Sequence, residues 1–269
     1  MTLEFEHRAS ESPWVERVWR SRSTDTRVMT SVARVHWDLV FWEDADGMHA
    51  GIQGPESRAS EAAVPPQSEF LGVRLAQGAF LPEIPATELV DTFVPLPVDE
   101  QSFWLGGTRI RFPQFETAEN AVHALTRHGV LSRADPKRDA AASERTRQRR
   151  ALAATGLPDR TRRQIQRAAR AAVRLQAGES PAAVAQELGY FDQPHLAHAL
   201  RRFVGRTATE LATPAGAVRP LSLLYKTEGD GVGNLPAEPP RAARSEEALW
   251  NNRPCRPRRP ASGVSCSTS

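Results

Sequence analysis

Ser180-Pro-Ala-Ala-Val-Ala-Gln-Glu-Leu-Gly-Tyr-Phe-Asp-Gln-Pro-His-Leu-Ala-His-Ala-Leu-Arg-Arg-Phe-Val-Gly205 is written as a hairpin of two helices. Ser180 is a favoured N-cap, and Pro181 suits the first helical position, where its missing N–H costs nothing. Val184, Ala185 and Leu188 then form one apolar stripe, and Gly189 supplies a left-handed stop. Asp192 caps the next helix, whose apolar residues Leu196, Ala199, Leu200 and Phe203 recur at i, i+3, i+4 and i+7. The opposite face carries Pro194, Ala197, His198 and Arg201, a mixture suited to a groove. The spacing is that of a helix-turn-helix, with Asp192–Phe203 as its second helix.

The wording of this hairpin resembles the second helix-turn-helix of AraC-type transcription regulators. Gly189 with the aromatic Tyr190, Asp192-Gln193, Leu196, the apolar Leu200 and Gly205 meet the family pattern together. The resemblance implies a bacterial DNA-binding regulator with a first helix-turn-helix upstream and a linker helix between the two. Residues 160–175 read as that linker, a basic helix with Ile165, Ala168, Ala169, Ala172 and Val173 as a narrow apolar stripe and Gly178 as its end. Residues 143–158 fit the first recognition helix, with Ser143 as cap, Thr155-Gly156 as stop and Pro158 just beyond. Ahead of it, a helix using Ala118, Ala121, Val122 and Leu125 and a short helix over 135–142 complete the expected unit.

This first unit departs from the family pattern. Arg147 stands where a buried leucine is usual, Ala151 where an aromatic is usual, and Lys137 and Arg138 replace apolar residues. Arginine can bury its stem and keep its head in water, but a unit with so few large apolar side chains has a thin core. The expectation is a first unit that grips phosphate more than it reads bases.

The resemblance also implies a mechanism. Two recognition helices on one rigid linker enter successive major-groove segments about 34 Å apart, roughly one helical turn of DNA. The family's contact positions fall on Gln193, Pro194, His195, Ala197 and His198 in the second unit, and on Arg145, Gln148 and Arg149 in the first. Gln193 suits adenine and Ala197 a thymine methyl, while His198 replaces the arginine common in the family. Gln193 as a mere helix cap, and His195 and His198 as solvated surface histidines, are the alternatives at these positions. Arg201, Arg202 and Arg206 are expected on phosphates, where they add affinity and salt dependence without sequence information.

Charge agrees once it is divided by region. The chain of 269 residues carries a formal net charge of only +3. Residues 1–132 hold 11 Lys/Arg against 19 Asp/Glu, a net −8, whereas residues 133–206 hold 16 against 7, a net +9. An acidic front half beside a basic helical segment is the electrostatic pattern of a DNA-binding domain attached to something else. Nearly all the basic charge is arginine, which suits bidentate contacts to phosphate and guanine.

The front half reads as strands. Val32–Trp42 is rich in β-branched and aromatic residues, the turn signal Asp46-Gly47 follows, and His49–Gln53 is its partner. Phe70–Leu75 reads as another strand, and Pro85–Asp91 as a short helix. Short strands punctuated by Gly and Pro predict a small barrel or roll. Trp37-Asp-Leu-Val-Phe41 and Gly72-Val-Arg-Leu-Ala-Gln-Gly-Ala-Phe80 also resemble the N-terminal domain of a subset of AraC-type regulators, which implies a small-molecule effector or dimerisation. His36, His49 and Trp42 are candidates for lining a cavity, with core packing the stronger reading.

The fold class expected is therefore α+β, with a β-rich, barrel- or roll-like sensor domain over 1–115. An all-α domain over 116–213 follows, with two helix-turn-helix units joined by a linker helix. Leu221–Lys226 reads as one strand within a tail, 214–269, whose Pro, Gly, Ser and Arg content predicts disorder.

Rival functions are an alkyl-transfer repair protein, a cupin-like enzyme, or a non-DNA interaction module with a fused basic helical domain. The first needs an activated thiol in an ordered site, yet the only cysteines are Cys255 and Cys266 in the tail. The second needs a metal cluster, and neither the cysteines nor the histidines show ligand spacing. The expectations are no enzymatic activity, no cofactor and no metal. Double-stranded DNA is the expected partner, with a small effector and RNA polymerase as further partners the resemblance implies. The chain is expected in the cytoplasm, on the nucleoid and off the membrane, as monomer or homodimer.

Overall fold

In Asp38-Leu-Val-Phe-Trp-Glu-Asp44, apolar residues run without a polar break, and the structure explains why: both faces of this strand are covered. Leu39 and Phe41 enter one core, Val40 and Trp42 another on the opposite side, as the two-residue period of a strand requires. The computed structural model describes residues 4–24, 27–133 and 143–213. Its strands are β1 (Glu4–Ala9), β2 (Val15–Ser23), β3 (Arg27–Ser31), β4 (Asp38–Asp44), β5 (Gly47–Gln53) and β6 (Ser60–Val64). They continue with β7 (Ser68–Leu75), β8 (Ala79–Phe80), β9 (Phe93–Pro95), β10 (Ser102–Leu105), β11 (Thr108–Arg111) and β12 (Ser132–Arg133).

Six strands form one antiparallel sheet in the order β1-β2-β7-β4-β5-β9. Ribbons β3–β6, β10–β11 and β8–β12 complete the β-rich N-terminal region. The β4–β5 hairpin turns at the predicted Asp46-Gly47, with Asp44 paired to Gly47. Trp19, Met29, Val40, Ala62, Val64 and Phe70 make the smaller core under β3–β6. The larger core includes Val18, Leu39, Phe41, Ile52, Val73, Leu75 and Phe103.

Helix α1 (Glu119–Arg127) closes this larger core. Ala118, Ala121, Val122 and Leu125 form its apolar stripe as read from sequence, but they pack with the sheet and not with the later helices. Arg8 on β1 holds α1 in place, its Nη1 and Nη2 donating to Glu119 Oε1 and Oε2 at 2.6 and 2.7 Å. The same hydrogen bonds pull the Glu119 carboxyl down to about 2. The segment 85–91 gives only a 3₁₀ turn, Ala86–Glu88, with Pro85 before it.

Helices α2 (Glu144–Thr155), α3 (Asp159–Gln176), α4 (Pro181–Glu187), α5 (Gln193–Phe203) and α6 (Ala208–Ala212) follow. The caps predicted from sequence are in place: Ser143, Ser180 and Asp192 side chains accept from the N–H groups of Thr146, Ala183 and His195. In α3 the buried stripe is Ile165, Ala168, Ala171, Ala172 and Leu175, while Ala169 and Val173 are only half-buried. The stripe is rotated from the expected one because α3 packs against α4, α5 and α6 at once, which draws in Ala171 and Leu175. The expected helix over 135–142, the side chain of Arg147, the strand 221–226, and the tail with both cysteines lie outside the described residues.

The strand expected from Val32 begins only at Asp38. Residues 32–37 leave the sheet, and Arg34 enters a buried ionic network. Arg34 Nε donates to Glu56 Oε2, Arg34 Nη2 to Ser31 Oγ at 2.9 Å, and Arg34 Nη1 to Asp38 Oδ2 at 3.3 Å. Arg74 on β7 grips the same Asp38 with Nε and Nη2, at 3.0 and 3.2 Å. Burial pushes the Asp38 carboxyl up, but Arg74 and Arg34 outweigh it and hold it below the usual carboxylate range. Burial pushes Glu56 up against the pull of Arg34 and Ser31, and there burial wins. Asp38→Ala leaves two buried guanidinium groups without their shared anion and is expected to cost roughly 3–5 kcal/mol in urea unfolding. A loss near zero would mean that water reaches the network.

Beside this network, burial pushes the His36 imidazole down to about 4, so at pH 7 it is neutral. Its 3.2 Å contact from Nδ1 to Glu16 Oε2 is then one between a neutral ring and a carboxylate, not an ion pair. The unfolded chain takes up a proton near pH 6.5 that the folded ring refuses. Stability is therefore expected to fall as the pH drops from about 6.5 to 4. His36→Gln should flatten that part of a chemical-denaturation series; an unchanged slope would mean the folded ring titrates normally.

Candidate nucleic-acid interface

Helix α5 is seated by one face and open on the other. Leu196, Ala199, Leu200 and Phe203 are buried at 0–7% exposure, with Tyr190 and Val204 beside them. Gln193, Pro194, His195, His198, Arg201 and Arg202 are exposed, and Ala197 is half-buried among them. Every contact residue expected on this helix thus lies off the core. Arg206 does not: it is only 8% exposed, so the expectation that it holds phosphate fails. It follows the last turn of α5, where the chain folds back against the β-rich region.

The turn before α5 is braced from several sides. Gly189 ends α4 with φ +70°, and Tyr190 N–H donates to Ala185 O at 2.8 Å. Arg167 of α3 lays its guanidinium over the Tyr190 ring at 4.2 Å and donates to Gly189 O at 3.2 Å. Asp192 Oδ1 accepts from His195 N–H at 2.7 Å, so the cap belongs to Asp192 and Gln193 is left for another use. His195 Nδ1 accepts from the Phe191 N–H at 3.3 Å, and its ring meets Tyr190 edge-on at 5.3 Å. An Nδ1 acceptor puts the ring proton on Nε2, which makes His195 an oriented donor and not a loosely solvated ring.

On α2, Arg145, Gln148 and Arg149 are all exposed, at spacings of three and four residues that share a helix face. The C-terminal end of α2 is buried through Ala154, Thr155 and Leu157. Arg163 and Arg170 on α3 and Arg201 and Arg202 on α5 add exposed cations to the same basic region. Arg174 is instead committed to Glu179 and Glu187 of the hairpin.

The β-rich region holds the C-terminal ends of both α2 and α5. Ala33 N–H donates to Phe203 O, and Ala59 N–H to Arg202 O, each at 2.8 Å. Val32, Ala33 and Val35 are members of the helical core itself. Gly205 follows with φ +70°, and a Cβ there would sit 2.7 Å from Thr30 Cγ2 and 3.1 Å from Ala59 Cβ. Gly156, after α2, has φ +67°, and a Cβ would fall 2.3 Å from Ala86 O. Gly156 reads from sequence as a helix stop and Gly205 as a position of the motif; the close approach of the sheet region is a further demand on both that helix periodicity does not register.

The proposed cavity lining is not assembled. Trp42 stacks on His49 at 4.8 Å, and His49 Nε2 lies 2.8 Å from Asp44 Oδ1, closing the β4–β5 hairpin. His36 is buried apart from them beside Glu16. Among the described residues, no group of three or more His, Cys, Asp or Glu side chains is placed to hold a metal ion. No helix of the described residues is long and apolar enough to cross a membrane.

Sequence reasoning missed two features. Arg167 was read as part of a basic helix, not as the brace of the hairpin turn. Phe191 was read as part of a motif, yet it is 91% exposed, while its neighbour Tyr190 is 5% exposed. The motif marks Tyr190 as its aromatic, but nothing in the spacing says that Phe191 stays in water. Comparison with known proteins adds no relative: no family model, curated protein or solved structure matches this chain.

Gly205→Val forces a β-branched residue into a left-handed backbone and pushes it against Thr30 and Ala59. A loss of roughly 1–3 kcal/mol is expected, with faster amide hydrogen exchange at Ala33 and Ala59 and unchanged exchange in β4 and β7. Equal exchange at all four places would mean that the seam between sheet and helices carries no stability of its own.

Proposed function

We propose that this chain is a transcription regulator of the AraC type, a non-enzymatic protein that binds double-stranded DNA with sequence preference. The observation that carries this reading is the division of α5. Its apolar face is fully seated, while Gln193, Pro194, His195, Ala197, His198, Arg201 and Arg202 line the side turned from the core. Eleven residues give the helix a length of about 16 Å, and its cross-section suits a major groove about 12 Å wide.

In this reading α5 and α2 are the two recognition helices of the tandem helix-turn-helix domain expected over 116–213, lying in successive major-groove segments with α3 as the linker between them. Gln193 pairs with a base edge, and His195 donates from Nε2 to an acceptor such as guanine N7 or O6 or thymine O4. Arg145, Gln148 and Arg149 meet the neighbouring segment, and Arg201 and Arg202 hold phosphates. The two braced C-terminal ends support the reading. Base readout needs side chains held to a fraction of an ångström, and helices anchored on a β-rich frame supply that rigidity. The front half then bears on DNA binding through Ala33 and Ala59, the route by which a small effector would act, and DNA places the chain on the nucleoid in the cytoplasm.

The test is enrichment of duplexes from a random pool by the full chain, followed by gel-shift titration on the enriched site. Arg149→Ala and Gln193→Ala are each expected to cost roughly 1–3 kcal/mol in specific binding. Arg201→Ala should weaken all duplexes alike and lower the salt dependence by about one counterion. No enrichment, or unchanged affinity in both Arg149→Ala and Gln193→Ala, overturns the assignment.

A further inference from the structure

Phe191 is the outlier among the exposed apolar side chains. Val28, Val98 and Leu152 are 38–41% exposed, and Phe191 is 91% exposed. It stands at the tip of the turn, immediately before the Asp192 cap and the first turn of α5. Leaving a phenyl ring in water forgoes the free energy that burying it would gain. Its place is not the product of a loose loop. The backbone is set by Tyr190 N–H on Ala185 O, by the Phe191 N–H on His195 Nδ1, and by the Asp192 cap.

The surroundings select the kind of partner. A protein partner is normally met by a contiguous apolar patch around an aromatic anchor. Here the following residues, Asp192, Gln193, Pro194 and His195, are exposed and mostly polar, and the other exposed apolar side chains lie on other elements. Farther along the same helix are Arg201 and Arg202, cations that suit a polyanion. An isolated apolar tip beside polar, base-reading side chains matches a surface that is polar and anionic with isolated apolar points. The major groove of DNA is such a surface, and its apolar point is the C5-methyl of thymine.

We propose that Phe191 is a specificity-determining residue that packs its ring against a thymine C5-methyl in the major groove, next to the bases met by Gln193 and His195. The inference rests on the DNA-binding reading and deepens it. No bond is made or broken. The ring and the methyl group leave water together, and the Phe191–His195 backbone contact couples the ring's position to the His195 donor.

The experiment uses the full chain and a random duplex pool, with wild type and Phe191→Ala enriched in parallel. The wild-type site is then remade with each thymine in turn replaced by deoxyuridine, which removes only the methyl. One such replacement should weaken wild-type binding about fourfold, the worth of one buried methyl group, and leave Phe191→Ala unaffected. Phe191→Leu keeps an apolar tip and should keep part of the penalty, so a general loss of affinity in Phe191→Ala does not mask the result. The same deoxyuridine penalty in Phe191→Ala and wild type overturns this inference alone and leaves the ring for a protein partner. So does the absence of any deoxyuridine penalty in wild type. If the wild-type chain enriches no duplex, the DNA reading fails, and this inference fails with it.

Discussion

The short segment Val32–Val35 is the joint on which the two halves of this structure depend. Its apolar side chains belong to the helical core, its Ala33 N–H caps the end of α5, and its Arg34 belongs to the ionic network of the β-rich region. A segment that serves both sides cannot continue a strand. Each backbone donor must have a partner, and here the partners are Phe203 O and Glu56 O, not a neighbouring strand. The cost of breaking the sheet at residue 32 is offset by burying Val32 and Val35 against α5 and its neighbours.

Behind that joint, Asp38 gives the network its stiffness. One carboxylate holds guanidinium groups from two places in the sequence, Arg34 from the joint and Arg74 from the middle of the sheet. A buried ion pair is a poor source of net stability, but it tolerates few alternative arrangements. Fixing Arg34 fixes the backbone that meets Phe203. Under the proposed reading, the same rigidity reaches the exposed face of α5 through its C-terminal end.

Much of the helical part was legible because its signals are local. Caps at Ser143, Ser180 and Asp192, stops at Gly156 and Gly189, and the apolar spacing of α5 each depend on residues within a turn or two. The hairpin at Asp46-Gly47 and the strand ending at Leu75 were legible for the same reason. The helix holding Ala121, Val122 and Leu125 was also legible as a helix, but its partner was not. An apolar stripe states that something will cover it, and the sheet competes with any helix for that role. Arg206 shows the limit for charge: composition counts it as a surface cation, while the fold of the chain after Gly205 buries it.

The sequence by itself determined the caps at Ser143, Ser180 and Asp192, the Asp46-Gly47 turn, and which face of α5 is apolar, because capping and periodicity act between near neighbours. Only the tertiary structure decided that α1 belongs to the sheet and that Val32–Val35 leaves it. The same holds for the aromatic ring that stays in water. Those outcomes turn on contacts between residues far apart in the chain, such as Ala33 with Phe203 or Arg167 with Tyr190. No local spacing encodes such contacts, since they exist only once both partners have been folded into place.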